Sequence, residues 1–229
     1  MAARPSPPPR PTPRPAPEGF FFDLDGTLTD SQAGIVHCFR AALEALGLED
    51  LEERALQDQV GAPLPDMLAA FRPGLGADET ARGIAAYRAA YERAGIFENA
   101  LYPGVRDMLA RLRDSGRPAW VVTSKPEHYA ERVVEILDIR DLLGGVIGPG
   151  LEEHDTKTML VARALQASGV APEAAVMLGD RHYDVTGALE NGVRPVGALW
   201  GYGARAELAD AGCRDFAETA NDFARRYIV

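Results

Sequence analysis

The sequence predicts a doubly wound, parallel α/β sheet interrupted by an inserted, all-helical segment. Three observations predict it. From residue 101 onward, short apolar runs alternate with helix-spaced stretches, the pattern of strands joined by helical crossovers. Residues 31–100 carry helical spacing alone and are too long for a single crossover. Finally, acids, hydroxyls and lysines cluster just after three of the apolar runs, where parallel strands end and ligand-binding loops begin.

Residues 1–19 hold eight of the 17 prolines and three arginines. Such a stretch cannot bury a core and lacks the apolar run of a secretory signal, so it reads as a disordered tail. Residues 20–22 are three phenylalanines, a buried strand that stops at Asp23-Leu24-Asp25-Gly26-Thr27. Ile35, Phe39, Ala42, Leu43 and Leu46 then recur at helical spacing until Gly47. Further helices are expected near 50–59, 64–71 and 77–95, with no strand-like alternation between 31 and 100. A helix from Pro103 through Leu109 and Leu112 closes near Gly116. Strand 119–122 follows, and Pro126 starts the next helix. A short strand at 145–147, a helix over 156–168 and a strand at 175–178 come next. A helix near 182–190, a strand at 193–198 and a helix near 219–227 finish the chain. The expected division is a core of 20–30 and 101–229 with a helical cap of 31–100.

Composition narrows the function. Acidic residues number 34 against 24 basic ones, a net charge of −10, which argues against a nucleic-acid partner. No run approaches the roughly 18 apolar residues of a membrane span. Cys38 and Cys213 stand far apart, so neither a disulfide framework nor a cysteine metal site is expected, and a reducing cytoplasm is the expected compartment. The basic residues are 22 arginines and only two lysines, Lys125 and Lys157.

The strand ends carry the chemistry. Asp23 and Asp25 stand two residues apart and share a face in extended chain. Two close carboxylates need a cation between them or a retained proton; one suits a nucleophile and the other a general acid/base. Asp180 and Asp184 add further carboxylate oxygens, and a cluster of hard oxygens suits Mg²⁺. Lys157 follows the N-cap candidates Asp155 and Thr156. A cation there mildly opposes the helix dipole; a solvated surface lysine is one reading, but a chain that writes nearly all its positive charge as arginine favours an ammonium set near carboxylates and an anionic substrate. Thr123 and Ser124, just before Pro126, form a natural phosphate cradle, with Lys125 beside it. Trp200-Gly201-Tyr202-Gly203 reads either as a loop flanking this site or as core packing of the tryptophan, Gly61-Ala62-Pro63-Leu64 as a cap turn facing the site or simply a turn before a helix, and Arg181 and His182 as pocket lining or solvated charge.

The segment Asp23-Leu24-Asp25-Gly26-Thr27-Leu28 resembles the first motif of the haloacid-dehalogenase-like hydrolases. Thr123 resembles the second motif, Lys157 the third, and Gly179-Asp180 with Asp184 the fourth. The resemblance covers residues 20–229 and implies a Rossmann-like core with a helical cap. It implies that Asp23 attacks phosphorus to form an aspartyl-phosphate. Asp25 would protonate the leaving oxygen and then help activate water. Mg²⁺ would be held by Asp23, the backbone carbonyl of Asp25 and Asp180, with Asp184 nearby. Thr123 and Lys157 would bind the transferring phosphoryl oxygens, and Gly26, Ser124 and Lys125 would contact substrate. No lysine occurs in 31–100, which argues against the Schiff-base chemistry of phosphonoacetaldehyde hydrolases. The chain is most similar to phosphoglycolate-phosphatase-like and 5′-nucleotidase-like members, although Arg181-His182-Tyr183 replaces the smaller polar residues common there. A Mg²⁺-dependent phosphatase for a small phosphorylated metabolite is therefore expected. The alternatives are a phosphomutase of the same superfamily and a receiver-type phosphoacceptor domain. Hinges are expected at 31–34 and 99–103, and the sequence leaves monomer and homodimer open.

Overall fold

The computed structural model describes residues 16–49, 51–151 and 155–228. The proline-rich tail up to residue 15 lies outside the described residues. The chain starts with β1 (Gly19–Phe22) and β2 (Thr29–Asp30). Four helices follow: α1 (Gln32–Glu44), α2 (Glu53–Gln57), α3 (Leu64–Phe71) and α4 (Ala77–Arg93). Next come β3 (Ala100–Leu101), α5 (Val105–Asp114), β4 (Ala119–Val122), α6 (Glu127–Ile136) and β5 (Gly145–Ile147). The last part is α7 (Lys157–Ser168), β6 (Ala175–Gly179), α8 (His182–Glu190), β7 (Arg194–Ala198), α9 (Arg205–Asp210), β8 (Phe216–Ala217) and α10 (Ala220–Tyr227).

Six strands form one sheet in the order β5-β4-β1-β6-β7-β8, and every pairing is parallel. The doubly wound α/β expectation holds. The chain builds outward from β1 on one side through β4 and β5, then returns to the other side through β6. The order therefore reverses at β1, and the carboxyl ends of β4, β1 and β6 lie together at this switch point.

Strand alternation divides the core. Phe20 and Phe22 point into one layer with Val121, Val176, Leu178 and Phe223, while Phe21 points into the other with Val122, Leu160 and Met177. All three phenylalanines are fully buried, which is why so short a run reads as a strand covered on both faces. The helical insertion has a cluster of its own, with Ile35, Phe39, Leu43, Leu56, Met67 and Leu68.

Four elements escaped the sequence reading. The two-residue strands β2 and β3 pair antiparallel, Thr29 with Leu101 and Asp30 with Ala100, and tie the two ends of the insertion together. The six-residue α9 and the two-residue β8 are also new. Elements this short cannot display a period. Pro103 does not begin its helix: α5 starts at Val105 behind Gly104, whose φ of 85° lies in the left-handed region that favours glycine.

Candidate active site

β1 delivers Asp23 straight to the switch point. The Asp23 N–H donates to Leu178 O at 3.0 Å, so the ladder continues through this residue. The chain then turns sharply: Leu24 O accepts from the N–H groups of Leu28 and Thr29, both at 2.9 Å. Gly26 occupies this turn with a φ of 83°, and its N–H donates to Thr29 O at 2.8 Å. A side chain there would collide with the Asp180 carboxylate, so glycine is required for both conformation and space.

Asp180 follows β6 and is fully buried. Thr27 Oγ1 donates to its Oδ1 at 3.0 Å and the Tyr202 N–H donates to its Oδ2 at 2.8 Å. Gly201 and Gly203 let the loop after β7 lie against Asp180, because a Cβ at either would strike it. The expected flanking role of Trp200-Gly201-Tyr202-Gly203 is thus seen in the contacts; Trp200 Nε1 also donates to Thr27 O at 3.0 Å. Asp184 sits in the first turn of α8, where its Oδ2 accepts the Arg181 N–H at 3.1 Å and closes a capping box.

Lys157 enters from the start of α7, which is capped by Thr156. Its Nζ donates to Asp23 Oδ1 at 3.0 Å and to Val122 O at 3.1 Å. Asp184 Oδ1 lies 2.8 Å away in ion-pair contact. The side chain is only 4% exposed, so the unfavourable dipole position is explained by two buried carboxylates. Burial pulls against the charged ammonium, but Asp184 and Asp23 outweigh it and hold Lys157 above the usual lysine range.

Oxygens of Asp23, Asp180 and Asp184 all lie within 4.8 Å of one another. One ammonium does not neutralise three acids. Burial, with Asp184 adding repulsion, pushes the Asp23 carboxyl up to about 6 despite Lys157. Burial, with repulsion from Asp184 and Asp23, pushes Asp180 up to about 8. A crowded, all-oxygen donor set with surplus negative charge fits a hard divalent cation such as Mg²⁺.

The remaining site residues divide. Thr123, at the end of β4, is buried, and its Oγ1 accepts the Lys125 N–H at 3.2 Å. Ser124 is exposed beside it. Asp25 does not join the other three carboxylates: its side chain turns to Lys125, whose Nζ lies 2.8 Å from Oδ1 and 2.6 Å from Oδ2. Arg181 and His182 both contact Glu207 of α9, at 2.9 Å and 2.8 Å. Arg181 Nη1 also donates to Val60 O, and Gly61 packs against the same side chain, so the turn of the insertion does face the core. On another side Arg88 of α4 donates to Leu151 O at 2.6 Å. Tyr202 Oη accepts the Ser31 N–H at 2.8 Å at the root of the insertion. Glu207 and the Tyr202 N–H are the contributors that sequence reasoning missed. Thr27 was legible as a hydroxyl in the polar segment that ends the first strand, and the structure gives it Asp180 as its partner.

Fold and site together define a parallel α/β protein with a carboxylate–lysine cluster at its topological switch point. A family model for haloacid dehalogenase-like hydrolases matches residues 20–198. The chain belongs to that family. It is 40% identical to the tyrosine-protein kinase PtkA of Mycobacterium tuberculosis over 82% of this chain, and spans 64% of that protein's length. It is 33% identical to a 5′-nucleotidase of Pseudomonas aeruginosa over 82% of this chain and 85% of the other. With a phosphoglycolate phosphatase of Chromobacterium violaceum it shares 29% identity over 90% and 93% of the two chains. Among solved structures, a predicted phosphatase from Clostridium acetobutylicum superposes with a TM-score of 0.87, 29% identity and coverage of 93% and 98%. Among the described residues, no helix is long and apolar enough to cross a membrane.

Proposed function

We propose that the protein is a Mg²⁺-dependent phosphatase that hydrolyses a small phosphate monoester, of the phosphoglycolate or nucleoside 5′-monophosphate kind, through an aspartyl-phosphate. The observation that carries this reading is Asp23 held against Lys157 within metal-sharing distance of Asp180 and Asp184. The phosphatase and 5′-nucleotidase names of the relatives support it.

In this reading a carboxylate oxygen of Asp23 bonds to phosphorus as the ester P–O bond breaks. Asp25 gives its proton to the departing oxygen. Asp25 then takes a proton from water, whose oxygen bonds to phosphorus while the Asp23–phosphorus bond breaks, and inorganic phosphate leaves. Lys157 and Thr123 hold phosphoryl oxygens, and Ser124 lies at the mouth of the same cradle. Asp23, Asp180, Asp184 and the backbone carbonyl of Asp25 are the groups that would hold Mg²⁺. Mg²⁺ when bound supplies charge neutralisation for the transferring phosphoryl group. Residues 31–100 act as the cap, with Arg181 on Val60 O and Arg88 on Leu151 O spanning cap and core.

A panel of phosphorylated metabolites supplied with Mg²⁺ is expected to give phosphate release on one or more small monoesters. EDTA should stop the release and added Mg²⁺ restore it. No release from any member would reject the phosphatase. The 40% identity to a tyrosine-protein kinase favours a second reading, transfer of a phosphoryl group to a tyrosine hydroxyl. Label passing from ATP to a tyrosine peptide, in place of free phosphate, would select it.

Metal also makes a stability prediction. Asp23 and Asp180 keep protons in the folded chain that the unfolded chain, with carboxyls near 3.8, has lost. Metal-free stability therefore falls as pH rises from about 4 to about 8. A cation that replaces those protons binds better as pH rises. Excess Mg²⁺ is expected to raise the melting temperature by roughly 5–10 °C at pH 8 and by clearly less at pH 5. A shift equal at both pH values, or none, would remove these carboxylates as the binding site.

A further inference from the structure

Lys125 is the lysine that the carboxylate cluster does not use. Its ammonium meets both oxygens of Asp25, and the two side chains are 7% and 14% exposed. Behind the ammonium stands the ring of Tyr91 from α4, with its centroid 5.0 Å from Nζ, within cation–π range. Tyr91 is itself braced. It stacks on Tyr87 at 6.0 Å and meets the Tyr129 ring of α6 edge-on at 5.1 Å. Tyr129 Oη donates in turn to Glu92 at 2.8 Å. At its own backbone Lys125 is pinned to Thr123 Oγ1. The ammonium is thus fixed by a core loop on one side and by the helical insertion on the other.

This arrangement matters because Asp25 lies in a tight turn, outside the three-carboxylate cluster, with its carboxylate paired to Lys125. Proton transfer demands placement to within a fraction of an ångström, and a misplacement of about 1 Å costs on the order of 10²-fold. Resting on the reading of Asp25 as the proton donor and acceptor, we propose that Lys125 is a positioning residue. It holds the Asp25 carboxylate in one orientation beside Asp23, against an aromatic wall supplied in part by the insertion. Its partner is Asp25, not the phosphoryl group.

The two roles separate in a leaving-group series. Loss of a well-placed proton donor harms a primary alkyl phosphate, whose alkoxide leaves poorly. An aryl phosphate with an acidic phenol departs without help. Lys125→Met is expected to lower kcat/KM by about 10²-fold on the alkyl ester and by less than about 3-fold on the aryl ester. Inhibition by inorganic phosphate should keep its Ki within about 3-fold. Equal losses on both esters would mean a merely structural role and overturn the proposal. A Ki raised tenfold or more would place Lys125 on the phosphoryl group and also overturn it. Should Lys125→Met fail to fold, Lys125→Arg, which keeps the charge but displaces the carboxylate, is expected to show the same selective loss. Asp25→Asn serves as the reference. If it shows no leaving-group selectivity, the acid/base reading itself fails. If it is selective while the Lys125 variants are not, only the positioning role fails.

Discussion

Asp23→Asn is expected to reduce phosphate release by about 10⁴-fold or more while the melting temperature stays within about 5 °C of the parent. The activity loss follows because the amide cannot donate an electron pair to phosphorus as the carboxylate does. The small stability effect follows from the site's electrostatics. Burial and Asp184 together penalise a charged Asp23 more than Lys157 rewards it, which is why its carboxyl is pushed up to about 6. A neutral side chain of the same shape removes that penalty. It leaves Lys157 paired with Asp184 at 2.8 Å. Phosphate release at the parent rate would eliminate Asp23 as nucleophile. A collapse in melting temperature would leave the electrostatic account wrong even if activity vanished.

Lys157→Met is expected to harm activity and fold together. Its ammonium faces two buried carboxylates and caps the carbonyl of Val122. Removing one member of a buried charge set and leaving the others uncompensated costs about 3–5 kcal/mol. For a chain of this size that is roughly a 10 °C fall in melting temperature for the metal-free protein at pH 8. The sign of the pH dependence is fixed by the raised carboxyls. Below about pH 6, Asp23 and Asp180 retain protons in the folded chain, so fewer charges miss the ammonium and the deficit shrinks. Melting curves of both proteins in EDTA at pH 5 and pH 8 measure this. A deficit that grows toward acid pH would contradict it.

Much of this was legible in the chain. The phenylalanine run and strand 119–122 are buried on both faces, and their apolar continuity shows it. The long helices of the insertion announce themselves by spacing, and 64–71 matches α3 residue for residue. Asp23, Asp180, Asp184 and Lys157 could be brought together on paper because parallel strands deliver their ends to one edge. The scarcity of lysine singled out two positions, and both lie against carboxylates. What could not be read depends on tertiary neighbours. Nothing in the sequence near Tyr91 says that its ring will back Lys125, from a helix in a different part of the chain. The Tyr202 N–H on Asp180 is a backbone group and leaves no compositional trace. Glu207 lies on a helix too short to show a pattern.

The paired strands β2 and β3 have a consequence for the chain as a polymer. The excursion through the four helices leaves at Asp30 and returns at Ala100, and these two residues are direct neighbours in the ribbon. To the sheet, the whole insertion is a loop of almost no span. The entropy of closing such a loop grows only with the logarithm of its length, about 0.6 kcal/mol for each doubling. The helices can therefore lengthen, shorten or change composition with little effect on the register of β1, β4 and β6. The insertion is thus free to drift in length, while the strands that carry Asp23 and Asp180 keep their register; Tyr91, whose ring backs Lys125, is the insertion residue tied to Asp25.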